Sequence, residues 1–305
     1  MNVLKEELVD QITDTLDQYG FETLQYEGCF DILAKKNKSF VIKALTNIDS
    51  LSGETAANIK TISHFLSAYA LTVCLRNNHN DLSQNIIYSR FGIPTIRPEL
   101  FEKLLSSEHI PSISALKGKH TVSINTELLR QERLKNRLSL ESLGKIIGTS
   151  KKSLYEIEKK RVNPILETVE KLEKILGVSL ILPYKLETPK IDHQIKPKTE
   201  LQKKISLKFD ELEINNSCLT STPFQIIGKR TETMIIGVSD NEKGFIDKSE
   251  IMISIASFTK TESLFITKKS ENENINGIPI LLDSEILDAG DFNDFKRMIQ
   301  EKKNI

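Results

Sequence analysis

Residues 128–176 read LLRQERLKNRLSLESLGKIIGTSKKSLYEIEKKRVNPILETVEKLEKIL, and apolar residues recur at helical spacing throughout this stretch. The period predicts a bundle of short helices with one shared core. Gly148 interrupts the pattern between two of these helices, as a glycine does in a tight turn. Two short helices joined by such a turn, inside a bundle of four or five, form a helix-turn-helix.

The predicted helices have start signals as well as apolar stripes. Ser139 is a suitable N-cap for the second helix and Ser150 for the third, because a serine hydroxyl accepts a hydrogen bond from a free backbone N–H. Asn163-Pro164 is expected to open the last helix, since proline is tolerated in a first turn. The expected buried positions are Leu129, Leu134, Leu138, Leu140, Leu143, Ile147, Leu154, Ile157, Leu166, Val169, Leu172, Ile175 and Leu176.

The segment LSLESLGKIIGTSKKSLYEIEKKRVNP resembles the Cro/C1 (phage-repressor-like, XRE) DNA-binding domain. That family combines an L-[ST]-x-x-x-L-[AG] helix with G-x-S, an I-x-x-[IL]-E rhythm and a final N-P. The similarity extends over about 55 of the 305 residues. One position departs from the family, which usually has a DNA-contacting Gln where this chain has Leu140.

The resemblance implies which residues contact double-stranded DNA. On the third helix, the recognition helix, the residues expected in the major groove are Ser150, Lys151, Lys152, Ser153, Tyr155, Glu156 and Lys159. The residues expected on the DNA backbone are Arg130, Arg133, Arg137, Lys160 and Arg161. Glu156 fits only if it accepts a hydrogen bond from cytosine N4, because phosphates repel a carboxylate. The alternative is that these side chains form no more than a solvated surface.

The charge distribution supports a local rather than a global DNA-binding surface. The net charge is +0 over 305 residues, and the chain is long enough for two or three domains. Residues 124–180 contain 12 Lys and Arg against 8 Asp and Glu, a difference of +4. Residues 200–305 contain 14 against 18, a difference of −4. A positive patch on a neutral chain predicts modest, salt-sensitive non-specific affinity.

Cysteine and histidine usage predicts a cytoplasmic protein without a metal site or cofactor. The cysteines are few and widely spaced, and the histidines do not pair at ligand spacing. They are Cys29, Cys74 and Cys218, and His64, His79, His109, His120 and His193. The N-terminus is predicted to be an amphipathic helix with acidic residues, which is untypical of a signal peptide. No apolar run is long enough to span a membrane.

Short strands and helices alternate on both sides of the predicted bundle, which predicts α/β domains with a small sheet covered by helices. In the first of these domains we expect helices at residues 54–69 and 98–105. The sequence FDILAKKNKSFVIKAL at residues 30–45 aligns with FQIIGKRTETMIIGV at residues 224–238. We therefore interpret the second, smaller α/β domain as a duplication of the first. The expected domains are an α/β domain at 1–120, the helix-turn-helix at 124–182, a Lys- and Pro-rich linker at 183–199 and the second α/β domain at 200–305.

The same segment, FDILAKKNKSFVIKAL, resembles the core of PD-(D/E)XK nucleases such as archaeal Holliday-junction resolvases. In that family an Asp and a Glu hold a divalent cation beside a Lys. Here Asp31 and Lys43 stand in the Asp and Lys places, but Val41 replaces the Glu. In the second copy the three places are Gln225, Ile235 and Gly237. We therefore expect a degenerate domain that is not an enzyme, in which Asp31 and Lys43 pair with each other.

The whole arrangement resembles helix-turn-helix transcriptional regulators of archaea. This implies a sequence-specific regulator that binds DNA as a homodimer and blocks or recruits the transcription machinery. The alternative is a structure-specific DNA-binding protein of repair or recombination that uses inactive nuclease-like domains. A ligand-gated regulator is a third possibility, although no phosphate-binding glycine loop indicates a ligand.

Overall fold

The computed structural model describes residues 3–106, 110–116, 119–191 and 195–303. The N-terminal part consists of α1 (Val3–Gln18), β1 (Glu22–Gln25), β2 (Ile32–Lys35), β3 (Ser39–Asn47), a 3₁₀ turn (Ile48–Ser50), α2 (Gly53–Phe65), β4 (Tyr69–Arg76), β5 (Tyr88–Arg90), β6 (Ile93–Ile96) and α3 (Pro98–Leu105). Its strands form a six-stranded sheet in the order β1-β2-β3-β4-β6-β5. The α/β layout expected from the sequence is thus present.

The helix-turn-helix region begins with a hairpin of β7 (Ile113–Leu116) and β8 (Lys119–Val122). Four helices follow: α4 (Thr126–Lys135), α5 (Leu140–Ile147), α6 (Lys151–Glu158) and α7 (Leu166–Leu176). The predicted boundary at residue 120 falls inside β8. Pro164 lies before α7 rather than in its first turn, and its carbonyl accepts a hydrogen bond from Val122 N at 2.8 Å.

The C-terminal part contains α8 (Glu200–Glu211), β9 (Asn215–Cys218), β10 (Ile226–Lys229), β11 (Thr233–Ser239), α9 (Lys243–Thr259), β12 (Glu262–Thr267), β13 (Asn274–Ile275), β14 (Ile278–Leu282), α10 (Asp283–Asp288) and α11 (Phe292–Lys303). Its sheet has the order β9-β10-β11-β12-β14-β13. Position by position this is the order of the first sheet, and the helices fall between the same strands.

Corresponding turns in the two sheets have the same backbone geometry. Phe91 and Gly92 join β5 to β6 with φ of 51° and 77°, and Asn276 and Gly277 join β13 to β14 with φ of 52° and 82°. Two successive positive φ values give a two-residue turn whose twist matches that of the flanking antiparallel strands. Phenylalanine rarely adopts this conformation, so residue 91 is held in it by the hairpin rather than by its own preference.

The described chain divides into two compact units, which are Met1–Ala44 with Asp49–Leu71 and Thr188–Ile305, and Leu45–Ile48 with Thr72–Glu187. Within the first unit, elements of the two α/β domains pack on each other. Helix α2 packs against β10, and α9 packs against β1.

Asn58 on α2 makes a buried polar contact between these two α/β domains. Its Oδ1 accepts from Thr220 N at 2.9 Å, and its Nδ2 donates to Thr220 Oγ1 at 2.8 Å. Both residues are buried. The two α/β domains therefore contact each other within one chain.

Some predicted elements differ from the structure. Helix α2, expected to reach Tyr69, ends at Phe65, and the hairpin strands β5 to β8 were missed. Of the predicted linker, the described residues 184–191 and 195–199 contain neither helix nor strand. Residues 192–194 of that linker, with His193, lie outside the described residues, as does His109.

Candidate nucleic-acid interface

A single apolar core holds the four helices of the bundle together. Its buried residues are Val122, Ile124, Leu129, Leu143, Ile147, Leu154, Ile157, Val169, Leu172, Leu176 and Leu180. Three polar side chains cap the helices that pack on it: Asn125 accepts from Leu128 N, Ser139 from Ser142 N and Ser150 from Ser153 N, each at 3.0 Å. The two serine caps are those predicted from the sequence.

Two glycines allow the tight turn between α5 and α6. Gly148 ends α5 with φ of 74°, a conformation that favours glycine. At Gly144 a Cβ would lie 2.7 Å from the carbonyl oxygen of Thr149, so only glycine permits this approach. Thr149 N donates to Gly144 O at 2.9 Å and closes the turn.

Helix α6 has one buried side and one exposed side. Leu154 and Ile157 lie in the core. The exposed side chains on the helix and at its two ends are Ser150, Lys151, Lys152, Ser153, Tyr155 and Lys159. Because Ser150 Oγ is occupied by the N-cap bond, the groups of this side that remain free for a ligand are mainly cationic and aromatic.

Tyr155 is the centre of a small cationic cluster on this exposed side. Its ring is 39% exposed, and the Lys159 ammonium and Arg161 guanidinium lie 5.8 and 5.9 Å from its centroid. Arg161 Nη1 also lies 3.3 Å from Glu156 Oε1. The negative charge of Glu156 is thus partly neutralised by Arg161, which reduces its repulsion of an approaching phosphate.

Arg133 is placed differently from its predicted position on the DNA backbone. It is only 7% exposed, and its guanidinium binds the Glu158 carboxylate through Nε at 2.6 Å and Nη2 at 3.1 Å. Its Nη1 donates to Leu138 O at 2.8 Å. We therefore remove Arg133 from the candidate interface. Leu134, predicted to be buried, is instead 55% exposed.

The other predicted backbone-contacting residues keep exposed side chains. They are Arg130, Arg137, Lys160 and Arg161. Arg137 and Lys160 have positive φ values of 53° and 58°, directly after the C-caps of α4 and α6. The turns of the bundle thus place these two side chains at helix ends.

In the first α/β domain, the residues that resemble a nuclease site form an ion-paired cluster. Asp31 is 4% exposed, and its Oδ1 lies 2.8 Å from Lys5 Nζ and 3.1 Å from Lys43 Nζ. Its Oδ2 accepts from Ala44 N at 2.8 Å. The pairing of Asp31 with Lys43 was expected from the sequence, whereas the contribution of Lys5 was not. Val41, in the place of the family's glutamate, is buried and adds no ligand.

Burial controls the ionisation of the groups around this carboxylate. It lowers the pKa of Lys43 below its ordinary value, and the nearby charge of Asp31 partly opposes that effect. Burial also raises the pKa of Cys29 to about 12, so its thiol is protonated at neutral pH. The cluster therefore offers no reactive thiolate, and its one carboxylate already contacts two ammonium groups.

The corresponding cluster of the second α/β domain is uncharged. Gln225 Oε1 accepts from Val238 N at 2.8 Å, as Asp31 Oδ2 accepts from Ala44 N. Gly237 takes the place of Lys43, and a Cβ there would lie 2.6 Å from the Phe265 ring. Phe265 thus excludes a side chain at that position. Ile235, in the remaining place, is buried.

Comparison with known protein families assigns a domain type to each of two regions. Residues 5–111 match the PD-(D/E)XK superfamily domain, and residues 129–182 match a helix-turn-helix domain. The chain thus combines a PD-(D/E)XK domain with a helix-turn-helix domain of the Cro/C1 type. Both resemblances inferred from the sequence are confirmed.

Similar proteins that align with nearly the whole of this chain occur in archaea. The chain is 26% identical to a Thermococcus gammatolerans protein over 98% of this chain and 97% of that protein, and 29% identical to a Methanothermobacter thermautotrophicus protein over 99% and 98%. Each is named "Putative HTH-type transcriptional regulatory protein". No solved structure matches the chain.

Among the described residues, no group of three His, Cys, Asp or Glu side chains is placed to hold a metal ion. In the same part of the chain, no helix combines the length and the apolar character needed to cross a membrane.

Proposed function

We propose that this chain is a sequence-specific DNA-binding transcriptional regulator that reads the major groove with α6. The observation that carries the proposal is the division of this helix into a core side, with Leu154 and Ile157, and an exposed cationic side. The helix-turn-helix family match and the names of the archaeal relatives support the same function.

The exposed side of α6 has suitable chemistry for both parts of DNA recognition. Lys151 and Lys152 lie in the first turn, where the helix dipole also favours a phosphate or an electronegative base edge. The Tyr155 ring offers an apolar face that suits a thymine methyl group. Lys160, Arg161, Arg130 and Arg137 are suited to phosphates, which set the register of the protein on the duplex.

We further propose that the chain binds as a homodimer to a pseudo-palindromic site. Two copies of α6 would then enter successive major grooves, about 34 Å apart. Occupancy at a promoter would block or recruit the transcription machinery. Leu140 packs against the bundle core and cannot replace the family's DNA-contacting Gln. We therefore expect the exposed arginines to supply more of the phosphate contacts.

In this proposed function the α/β domains are non-catalytic scaffolds. A nuclease of this superfamily needs two carboxylates to hold a cation. Here Asp31 is occupied by Lys5 and Lys43, and Val41 supplies no oxygen. We propose that the second domain arose by duplication. Its strand order matches that of the first sheet, and Gln225 accepts a backbone hydrogen bond at the position where Asp31 does.

A second candidate function follows from the PD-(D/E)XK match. Domains of this type with their metal ligands lost could bind branched DNA without cutting it, and the helix-turn-helix would then be an anchor. Such a protein would prefer a junction of any sequence over linear duplex. A regulator would prefer one duplex sequence whether or not it is branched.

In-vitro selection distinguishes the two candidates. Purified full-length protein would be incubated with random duplex DNA at about 0.15 M salt, which weakens binding through phosphate contacts alone. Enrichment of a two-fold-related motif, with half-sites one helical turn apart, is the expected result. Retention of four-way junctions without any enriched motif would instead support the repair candidate.

A cleavage assay tests the absence of nuclease activity. Linear, plasmid and branched DNA would be incubated with the protein and Mg²⁺ or Mn²⁺, and no cut is expected. Cutting that requires the metal and disappears in Asp31→Ala would overturn the non-catalytic assignment. The control is an Asp14→Asn variant, changed at an exposed position of α1 and purified in the same way. Cutting that belongs to Asp31 should persist in this variant, and cutting by a contaminating nuclease should persist in both variants.

A further inference from the structure

A cavity of about 240 Å³ lies in the first compact unit, between the β2–β3 hairpin and the C-terminal end of α9. It involves no residue of the helix-turn-helix domain. Its walls come from both α/β domains, and sites between domains are a common location for small-molecule binding. The cavity is partly open to solvent, so a ligand can enter without unfolding either domain.

The cavity has an apolar part in its lining. Leu33 and Val41 contribute from the hairpin, Leu66 and Ala68 from the segment after α2, and Phe258 from α9. A ligand that buries a hydrocarbon body against these side chains gains free energy roughly in proportion to the apolar area removed from water.

Three lysines are among the residues that line the cavity: Lys35, Lys36 and Lys260. Lys35 is already neutralised by Glu22 at 3.0 Å, and it donates to the Phe258 carbonyl at 2.9 Å. That bond brings a positive charge to one carbonyl at the negative end of the α9 dipole, which reduces the repulsion of an anion there.

The other two lysines have no acidic partner among the described residues. Lys36 Nζ donates to the backbone carbonyl of Tyr19 at 2.7 Å and lies 6.0 Å from the Phe21 ring centroid, and neither of these residues lines the cavity. Its ammonium is therefore held outside the cavity. Lys260 is exposed at the C-cap of α9, with φ of 55°. This left-handed conformation favours glycine, so the chain keeps a lysine at this position at some conformational cost.

We propose that this cavity binds a small organic carboxylate with an aliphatic or aromatic body. The hydrocarbon part packs on Leu33 and Phe258, and the carboxylate is held by the ammonium group of Lys260. The Ser39 hydroxyl, which also lines the cavity, can donate to the same carboxylate. Because both α/β domains supply walls, the bound ligand stabilises their contact.

Calorimetric titration of the full chain with octanoate, octanol and octylammonium tests this site. These probes share one hydrocarbon body and differ in head-group charge. Octanoate should bind at a single saturable site, at least about tenfold more tightly than octanol, because hydrogen bonds to charged groups are the stronger ones. Octylammonium should bind more weakly still. From butanoate to octanoate, each added methylene should strengthen binding by up to about fourfold.

Two lysine variants make the test specific. Lys260→Gly removes the ammonium while easing the backbone at this φ, so the variant should fold and should bind octanoate about tenfold more weakly. Lys38→Ala changes a lysine of the β2–β3 hairpin that does not line the cavity, so this variant should bind octanoate like wild type. Equal binding of octanoate and octanol, non-saturable binding, or unchanged affinity in Lys260→Gly would each overturn the proposal.

Discussion

Arg133 and Glu158 form a buried, bidentate ion pair between α4 and α6, with Nε–Oε1 and Nη2–Oε2 distances of 2.6 and 3.1 Å. Both side chains are less than a tenth exposed. The planar guanidinium matches the carboxylate in only one orientation, so the pair fixes α6 relative to α4. A residue that looks like a DNA contact in the sequence thus serves to position the helix that carries the DNA-reading side chains.

Arg133→Ala should destabilise the helix-turn-helix domain by about 3–5 kcal/mol, because it leaves the Glu158 carboxylate buried without its partner. Hydrogen exchange of amides in α4 and α6 measures this locally in a chain with several domains. Arg130→Ala, at an exposed position of α4, should change protection by less than about 0.5 kcal/mol. Similar protection in the two variants would show that the ion pair does not hold α6.

Lys151→Ala and Lys152→Ala should each weaken binding to the selected DNA site by about 1–3 kcal/mol. If a lysine contacts phosphate, the magnitude of the salt slope should also fall by about 1, whereas a base contact leaves the slope unchanged and relaxes specificity. The measurement is a titration of DNA at several salt concentrations. The matched control is Lys171→Ala on α7, where the ammonium pairs with Glu167 at 2.8 Å. Wild-type affinity in both α6 variants would mean that another surface reads DNA.

Local signals predicted the bundle well but failed where the partner is distant in the chain. The serine N-caps, the glycine turn and α3 at Pro98–Leu105 follow from short-range rules. Leu134 was expected in the core because it is apolar. The helix, however, turns Leu129 and Arg133 inward, four residues apart on one face. Glu158, which makes a buried arginine possible, lies 25 residues away.

In the nuclease-like cluster, too, the contact within one hairpin could be predicted from the sequence and the contact with a distant helix could not. The hairpin register brings Asp31 close to Lys43, and this follows from the strand pattern. The ammonium of Lys5 reaches Asp31 only because α1 packs over β2, which no local pattern encodes. The cavity beside Phe258 could not be predicted either, since its walls come from segments more than 200 residues apart.

Glu156→Gln should increase non-specific DNA affinity. The change removes a carboxylate from the exposed side of α6 and frees Arg161, now 3.3 Å from that carboxylate, to contact phosphate. The salt slope on random duplex should steepen by up to about 1 for the extra phosphate contact. Fluorescence anisotropy at several salt concentrations measures both quantities. If affinity falls only for the selected site, Glu156 accepts a hydrogen bond from a base and is itself a specificity residue.

Asn58→Ala should weaken the contact between the two α/β domains by about 1–3 kcal/mol, because Thr220 N is left buried without an acceptor. Limited proteolysis of residues 184–191, which contain no helix or strand, should then become faster. Asp14→Asn, at an exposed position of α1 in the same compact unit, is the comparison variant. Equal cleavage rates in wild type and Asn58→Ala would mean that this hydrogen-bonded pair adds little to the contact.

Asp31→Asn should destabilise the first α/β domain on the order of 3 kcal/mol at neutral pH, because Lys43 stays buried and loses its counter-charge. Burial already lowers the pKa of Lys43 from its ordinary 10.5, and Asp31 is the main group that opposes this. Without that carboxylate the pKa falls further.

The sign of the pH dependence follows from proton binding. A lysine whose folded pKa lies below 10.5 binds fewer protons in the folded state than in the unfolded state, so stability rises with pH between the two values. The pH range between the folded and unfolded pKa of Lys43 is wider in Asp31→Asn. The loss of unfolding free energy relative to wild type should therefore be largest near pH 7 and shrink towards pH 10. Urea unfolding at several pH values measures the difference, with Asp14→Asn as the exposed control. A deficit that stays constant or grows with pH would show that Lys43 is not charged in the folded domain.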